Sequence, residues 1–262
     1  MNQPMTNLGT RPGKAQPLSR SNPGASVQDL VASVFVEDLV AAASHGALTE
    51  ELALALLQRR DLPANAIEAL ARNQFAIKHR KVVVGMSEHS HTPRHIALPL
   101  LRRLFTFELM EVALAPSVAA DVRLIAEEFL INKIGTLSLG ERISLARRAS
   151  SGVAGALLLN GERAVIEAAL QNPRMTEANI LKSFASPEMP MPLLTMISEH
   201  PKWSLRREIQ IAILRRPEAT EAVVAKIAAK LPKPVLYNLL KQIRLPERRQ
   251  ELLRGLLSAK GT

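Results

Sequence analysis

Five prolines divide the C-terminal half of the chain at nearly equal steps. Pro173, Pro187 and Pro201 stand 14 residues apart, Pro217 follows 16 later and Pro232 another 15. Proline cannot continue a helix from within, because its ring removes an amide donor and clashes with the preceding turn. A proline every 14–16 residues therefore limits each helix to about three turns. The intervening segments carry apolar residues at helical spacing: TEANILKSFA, MPLLTMISEH, WSLRREIQIAILR, ATEAVVAKIAAK and VLYNLLKQI. Such short helices cannot each bury an apolar face alone, so neighbours must stack. Taken in pairs they give a unit near 28–31 residues, as from Pro173 to Pro201 or Pro201 to Pro232. A fixed interval of this kind marks a repeat array, whereas a single globular bundle would use fewer, longer helices.

The same rhythm extends upstream. Leu30, Val31, Val34, Phe35, Leu39 and Val40 form a helical stripe that stops near His45-Gly46. Thr49 caps ELALALLQRR, Thr92-Pro93 opens HIALPLLRRL, and Pro116 precedes VAADVRLIAEEFLI. Ser138 and Glu141 form a capping box, and Gly152 is expected just past the end of that helix. The β-branched run Lys81-Val82-Val83-Val84 is too short and isolated to imply a sheet. The expectation is an all-α chain with residues 26–262 as one helical-repeat domain. Residues 1–25 are rich in Pro, Gly, Ser, Asn and Gln, carry Arg11, Lys14 and Arg20 with no acid, and are expected to form a disordered basic arm.

AALQNPRMTEANIL and FASPEMPMPLLTMISEHPKWSLRREIQIAILRRPEAT resemble the helix, Asn-Pro turn, helix texture of HEAT-like and leucine-rich-repeat-variant α-solenoids. The resemblance covers roughly 112–230. It implies a right-handed superhelix of stacked helix pairs. The repeat is shorter than the 40–47 residues of HEAT and armadillo units. The cysteine cluster of some repeat-variant proteins is absent, and no family active site transfers.

Charge is uneven. Of the net +10, residues 200–262 supply 14 basic against five acidic side chains, while 26–150 balance and 151–199 are slightly acidic. A basic C-terminal quarter points to a polyanion or an acidic partner. Arginine doublets recur at Arg59-Arg60, Arg102-Arg103, Arg147-Arg148, Arg206-Arg207, Arg215-Arg216 and Arg248-Arg249. Several lie near helix C-termini, where a cation complements the helix dipole. Stacked repeats could also align them into a phosphate-reading stripe. Trp203 opens the most unusual local sequence and reads as an inter-repeat packing anchor, with a ligand-facing aromatic as the alternative. The candidate partner-binding residues are therefore Arg206, Arg207, Arg215, Arg216, Arg248, Arg249 and Trp203.

Catalytic signals are missing. With no cysteine there is no thiol nucleophile, thiolate metal site or disulfide. His79, His89, His91 and His95 cluster in sequence, but Thr92-Pro93 restarts a helix between the last two, so they need not share a face. No glycine-rich phosphate loop, GxSxG or HExxH occurs, and with 3% aromatic residues a base-stacking platform is disfavoured. No cofactor and no metal are expected. No apolar run reaches membrane-spanning length and the start lacks a signal-peptide core, which suggests a cytoplasmic protein. The expected function is a non-catalytic scaffold that binds a protein partner through the concave face of the solenoid. The alternative is nucleic-acid binding on the basic C-terminal surface.

Overall fold

The computed structural model describes residues 25–242, 245 and 247–259. Among them are 17 α-helices and three short 3-10 turns, and no strand. Apart from Ala25, the expected N-terminal arm lies outside the described residues. By its contacts the chain divides into two compact units, one ending at His79 and one beginning at Arg80.

The first unit holds α1 (Val27–Ala32), α2 (Val36–Ser44), α3 (Glu50–Leu57), α4 (Ala64–Arg72) and a 3-10 turn at Ala76–Lys78. The stripe from Leu30 to Val40 is broken into α1 and α2 rather than continuous. Ser33 explains the break, because its hydroxyl accepts from the Phe35 amide and donates to Asp38 at 2.6 Å, holding an extended turn. Val34 and Phe35 consequently face solvent, while Leu39 is buried.

The second unit runs through α5 (Arg80–Glu88), α6 (Arg94–Leu101), α7 (Thr106–Leu114), α8 (Ala120–Lys133), α9 (Leu139–Arg148), α10 (Ser151–Leu157), α11 (Arg163–Leu170) and α12 (Glu177–Ala185). It continues with α13 (Met191–Glu199), α14 (Arg207–Arg215), α15 (Glu221–Lys230), α16 (Lys233–Gln242) and α17 (Glu247–Ala259). The 3-10 turns Ile134–Thr136 and Trp203–Leu205 precede α9 and α14. The segment read as one helix from Trp203 is thus two elements, separated at Arg206, whose backbone is extended.

Packing in this unit follows alternate elements. α9 rests on α11, α11 on α13, α13 on α15 and α15 on α17. α8 rests on α10, α10 on α12 and α12 on α14. The second series is close. A Cβ on Gly155 would stand 3.0 Å from the Asn179 Cβ, tighter than nine in ten real Cβ contacts. Gly152, expected beyond a helix end, lies inside α10 against the Glu127 carboxylate; Ser150 caps α10 and so begins a new helix before that glycine.

The proline intervals have a local cause. Asn172, Arg216 and Ala115 each accept, at their carbonyl, the amide three residues on: Met175 at 3.0 Å, Ala219 at 3.2 Å and Val118 at 3.2 Å. In each turn the second residue is proline, whose fixed φ suits that position. The fourth residue is buried: Met175, Ala219 and Val118 are each no more than 5% exposed. The next helix then begins at a cap such as Thr176 or Thr220, whose hydroxyl accepts a first-turn amide. The Ser138–Glu141 capping box is present as expected.

Candidate interaction surface

An α-helix leaves its last carbonyls without intrahelical partners. Here several of those carbonyls are met by polar side chains from the element two further along. Arg59, after α3, donates to Val31 of α1 at 2.9 Å. Asn73, after α4, donates to Ala43 of α2 at 3.0 Å. Ser117, after α7, donates to Glu88 of α5 at 3.0 Å. Asn172, after α11, donates to Ala146 and Ala149 at the end of α9, and Arg174 to Arg148. The Trp203 indole N–H, after α13, donates to Leu170 of α11 at 3.0 Å. Arg216, after α14, donates to Phe184 of α12 at 2.7 Å. Donor and acceptor in these pairs are separated by 23–33 residues at the helix ends.

Two of the arginines share one geometry. Arg59 grips Asp61 with Nε and Nη2 at 3.0 and 2.7 Å, leaving Nη1 for Val31. Arg216 grips Glu218 with the same two nitrogens at 3.0 Å each, leaving Nη1 for Phe184. The acid two residues on aims the guanidinium fork, and the third donor closes a helix end.

This pattern decides the fate of the sequence candidates. Arg216 and Arg249 are engaged inward. Arg249 of α17 donates to the carbonyls of Leu214, Arg216, Pro217 and Ala219, and partial burial pushes its pKa down from the ordinary arginine value. Arg248 pairs with Glu221. Arg206, Arg207 and Arg215 are exposed, and among the described residues no acid forms an ion pair with them. Trp203 is 2% exposed, and its ring packs inward with Lys202 over it at 4.0 Å, the arrangement of a packing anchor. On α14 the buried side is Ile209, Gln210, Ile213 and Leu214; Gln210, expected beside the stripe, is inside because its amide donates to the Ser204 carbonyl at 2.7 Å.

Three of the six histidines serve turns. Nδ1 of His45, His89 and His200 each accepts a backbone amide two residues on, from Ala47, His91 and Lys202. An accepting Nδ1 places the ring proton on Nε2. His200 takes a second amide, from Trp203, and its pKa lies below the ordinary histidine value because burial and then the Lys202 charge disfavour the cation. Among the described residues no group of three or more His, Asp or Glu is arranged to hold a metal ion.

Between α11 and α13 lies a cleft of about 590 Å³, with Arg163 at its start and the Asn172 and His200 turns at its end. Comparison with family models, curated proteins and solved structures gives no match. The reading of the surface rests on its own geometry. Sequence reasoning missed this cleft. Its signal was present in the equivalent turns Gln171-Asn172-Pro173 and Glu199-His200-Pro201, but which faces they would border depends on stacking.

Proposed function

We propose that the chain is a non-catalytic helical-repeat scaffold of the α-solenoid type, binding a protein partner across the face built by successive helices. The support is the capping of the ends of α1, α2, α5, α9, α11 and α12 from the element two further on. That relation repeats with a period near 30 residues and matches the alternate-helix packing of α8 through α17. In such an array the core is specified by apolar spacing and by these caps, which leaves outward side chains free to read a partner. No helix among the described residues is long and apolar enough to cross a membrane.

The nucleic-acid reading draws on the basic residues 200–262, yet Arg216 and Arg249 are engaged on carbonyls of the fold, and Arg248 pairs with Glu221 at the surface. Arg206, Arg207 and Arg215 remain available to phosphate. Heparin and oligonucleotide retention across a salt series separates the two readings. The scaffold reading expects weak retention lost by about 0.15 M salt, because three phosphate contacts give a slope of only about 2–3 in log K against log salt. Tight, steeply salt-dependent binding abolished by Arg206→Glu with Arg207→Glu would favour nucleic acid.

A further inference from the structure

Seven helices recur at one spacing. α2 through α8 begin at residues 36, 50, 64, 80, 94, 106 and 120, and α11 through α17 begin 127 residues after each in turn. The packing recurs with them. α1 rests on α3 as α10 on α12, α2 on α4 as α11 on α13, and α6 on α8 as α15 on α17. So do the turns. Thr49 and Thr176 cap α3 and α12, and Asn73 and His200 each accept the amides two and three residues on. One register, a shift of 127 residues, therefore gives each position a counterpart.

In that register α17 answers to α8, and α1 to α10. α8 and α10 meet within the chain. A Cβ on Gly152 of α10 would stand 2.6 Å from the Glu127 carboxylate of α8, and Leu130 of α8 and Val153 of α10 are fully buried. The counterparts of these residues are open. Leu257 of α17, at the place of Leu130, is half-buried, and Arg254, at the place of Glu127, is exposed. Ser26, at the place of Val153, is exposed as well. Between α1 and α2, Val34, Phe35 and Val36 are 77%, 48% and 43% exposed where the register puts Gly161, Glu162 and Arg163. α9, which also rests on α10 and α11, has its counterpart at 12–21, outside the described residues.

The two open faces differ in charge. α1 and α2 carry three acids, Asp29, Glu37 and Asp38, and no Lys or Arg, whereas α16 and α17 carry five Lys or Arg against two Glu. Opposite faces attract and like faces repel, which favours α17 against α1–α2 over either face against itself. We infer that the chain self-associates head to tail, the α17 face of one copy receiving the α1–α2 face of the next as α8 receives α10. The occupant is a second copy because the chain already makes the corresponding contact with itself. Such a contact joins two different surfaces, so it builds rings or open chains rather than a two-fold dimer. It goes beyond the scaffold reading, and the failure of either leaves the other standing.

The test is sedimentation velocity of the full chain from about 5 to 500 µM at about 50 mM salt, with two blocked variants. Ala25→Arg sets a cation against Arg254, at the place where Gly152 meets Glu127. Leu257→Arg sets one at the place of the buried Leu130. Neither position is fully buried in a single copy, and melting by circular dichroism establishes that the variants are folded; Leu257→Gln replaces the arginine should it unfold α17. The wild type is expected to grow in mass with concentration, and each variant alone to associate about tenfold or more weakly. Mixed, the two variants are expected to recover one contact and stop at a 1:1 pair, because the intact α17 face of the first meets the intact α1–α2 face of the second. A monomeric wild type throughout, undiminished association of either variant alone, or a mixture no heavier than its parts overturns the proposal.

Discussion

Trp203 carries two separable contributions. Its ring fills the interface between α13 and α14, and its N–H completes the end of α11. Trp203→Ala is expected to cost about 3–5 kcal/mol in denaturant unfolding of the second unit. Trp203→Phe keeps a buried ring but leaves the Leu170 carbonyl unpaired, and is expected to cost about 1–3 kcal/mol. Equal losses from the two variants would mean that the hydrogen bond, not packing, is the anchor. His200 offers a pH test at the same turn. Its folded pKa is lowered, so its stabilising contribution is present above the ordinary histidine value near 6.5 and is lost as pH falls through the folded value. Asn172 fills the equivalent role with an amide oxygen that does not titrate in this range. His200→Asn is therefore expected to flatten the acid side of a melting-temperature profile below about pH 6.5, leaving the neutral side unchanged. Glu88 behaves in the opposite sense. Burial, with Glu111 and Glu108 nearby, raises its pKa, so the group favours folding when protonated and opposes it as pH rises through the folded value. Glu88→Gln is expected to raise the melting temperature at pH 7, with the difference closing below about pH 4.

At the scale of the element, several helix starts and turns were legible, while what seals the helix ends was not. Thr49, Ser138, Thr176 and Thr220 act as starting caps because capping is local: one hydroxyl and an amide three residues away. The prolines marked turns for a similarly local reason. The ends depend on partners some thirty residues distant, and so the doublets Arg59-Arg60 and Arg215-Arg216 read as helix-dipole complements or as a phosphate stripe. One member of each instead grips an acid two residues on and a carbonyl of a neighbouring helix. The signal for this device is the Arg-x-acid spacing, visible but uninterpretable without stacking. Arg216→Lys is expected to destabilise by about 1 kcal/mol in a thermal or denaturant melt, because an ammonium cannot hold both carboxylate oxygens and the Phe184 carbonyl in one plane. No loss on this change, with full loss on Arg216→Ala, would assign the effect to the side chain's stem. The break at Ser33 was also hidden, since an unbroken apolar stripe outweighs one serine in any periodicity.

For the whole second unit, the alternate packing predicts where damage travels. Trp203 touches the end of α11 directly and lies beside α13 and α14, whereas α5, α6 and α7 have no part in that interface. In an array coupled through nearest neighbours, Trp203→Ala should release amide protection in α11, α13 and α14 and leave α5–α7 near wild type. Segment-resolved hydrogen exchange checks this; uniform loss from α5 to α17 would show a single cooperative block.

The thirty-residue separation between a helix end and its cap also orders events in time. On a ribosome adding about 5–20 residues per second, the end of α12 exists for roughly 1.5–6 s before Arg216 is made to cover the Phe184 carbonyl. The end of α11 waits equally for Trp203, and that of α9 for Asn172. These helix ends thus stay frayed until the second helix after each has been made. Closure then advances from the N-terminal side as a front that trails synthesis by one helix pair. The end of α14 waits longer, for Arg249 of α17, the third helix after it, so a chain halted before that arginine would carry that end unsealed.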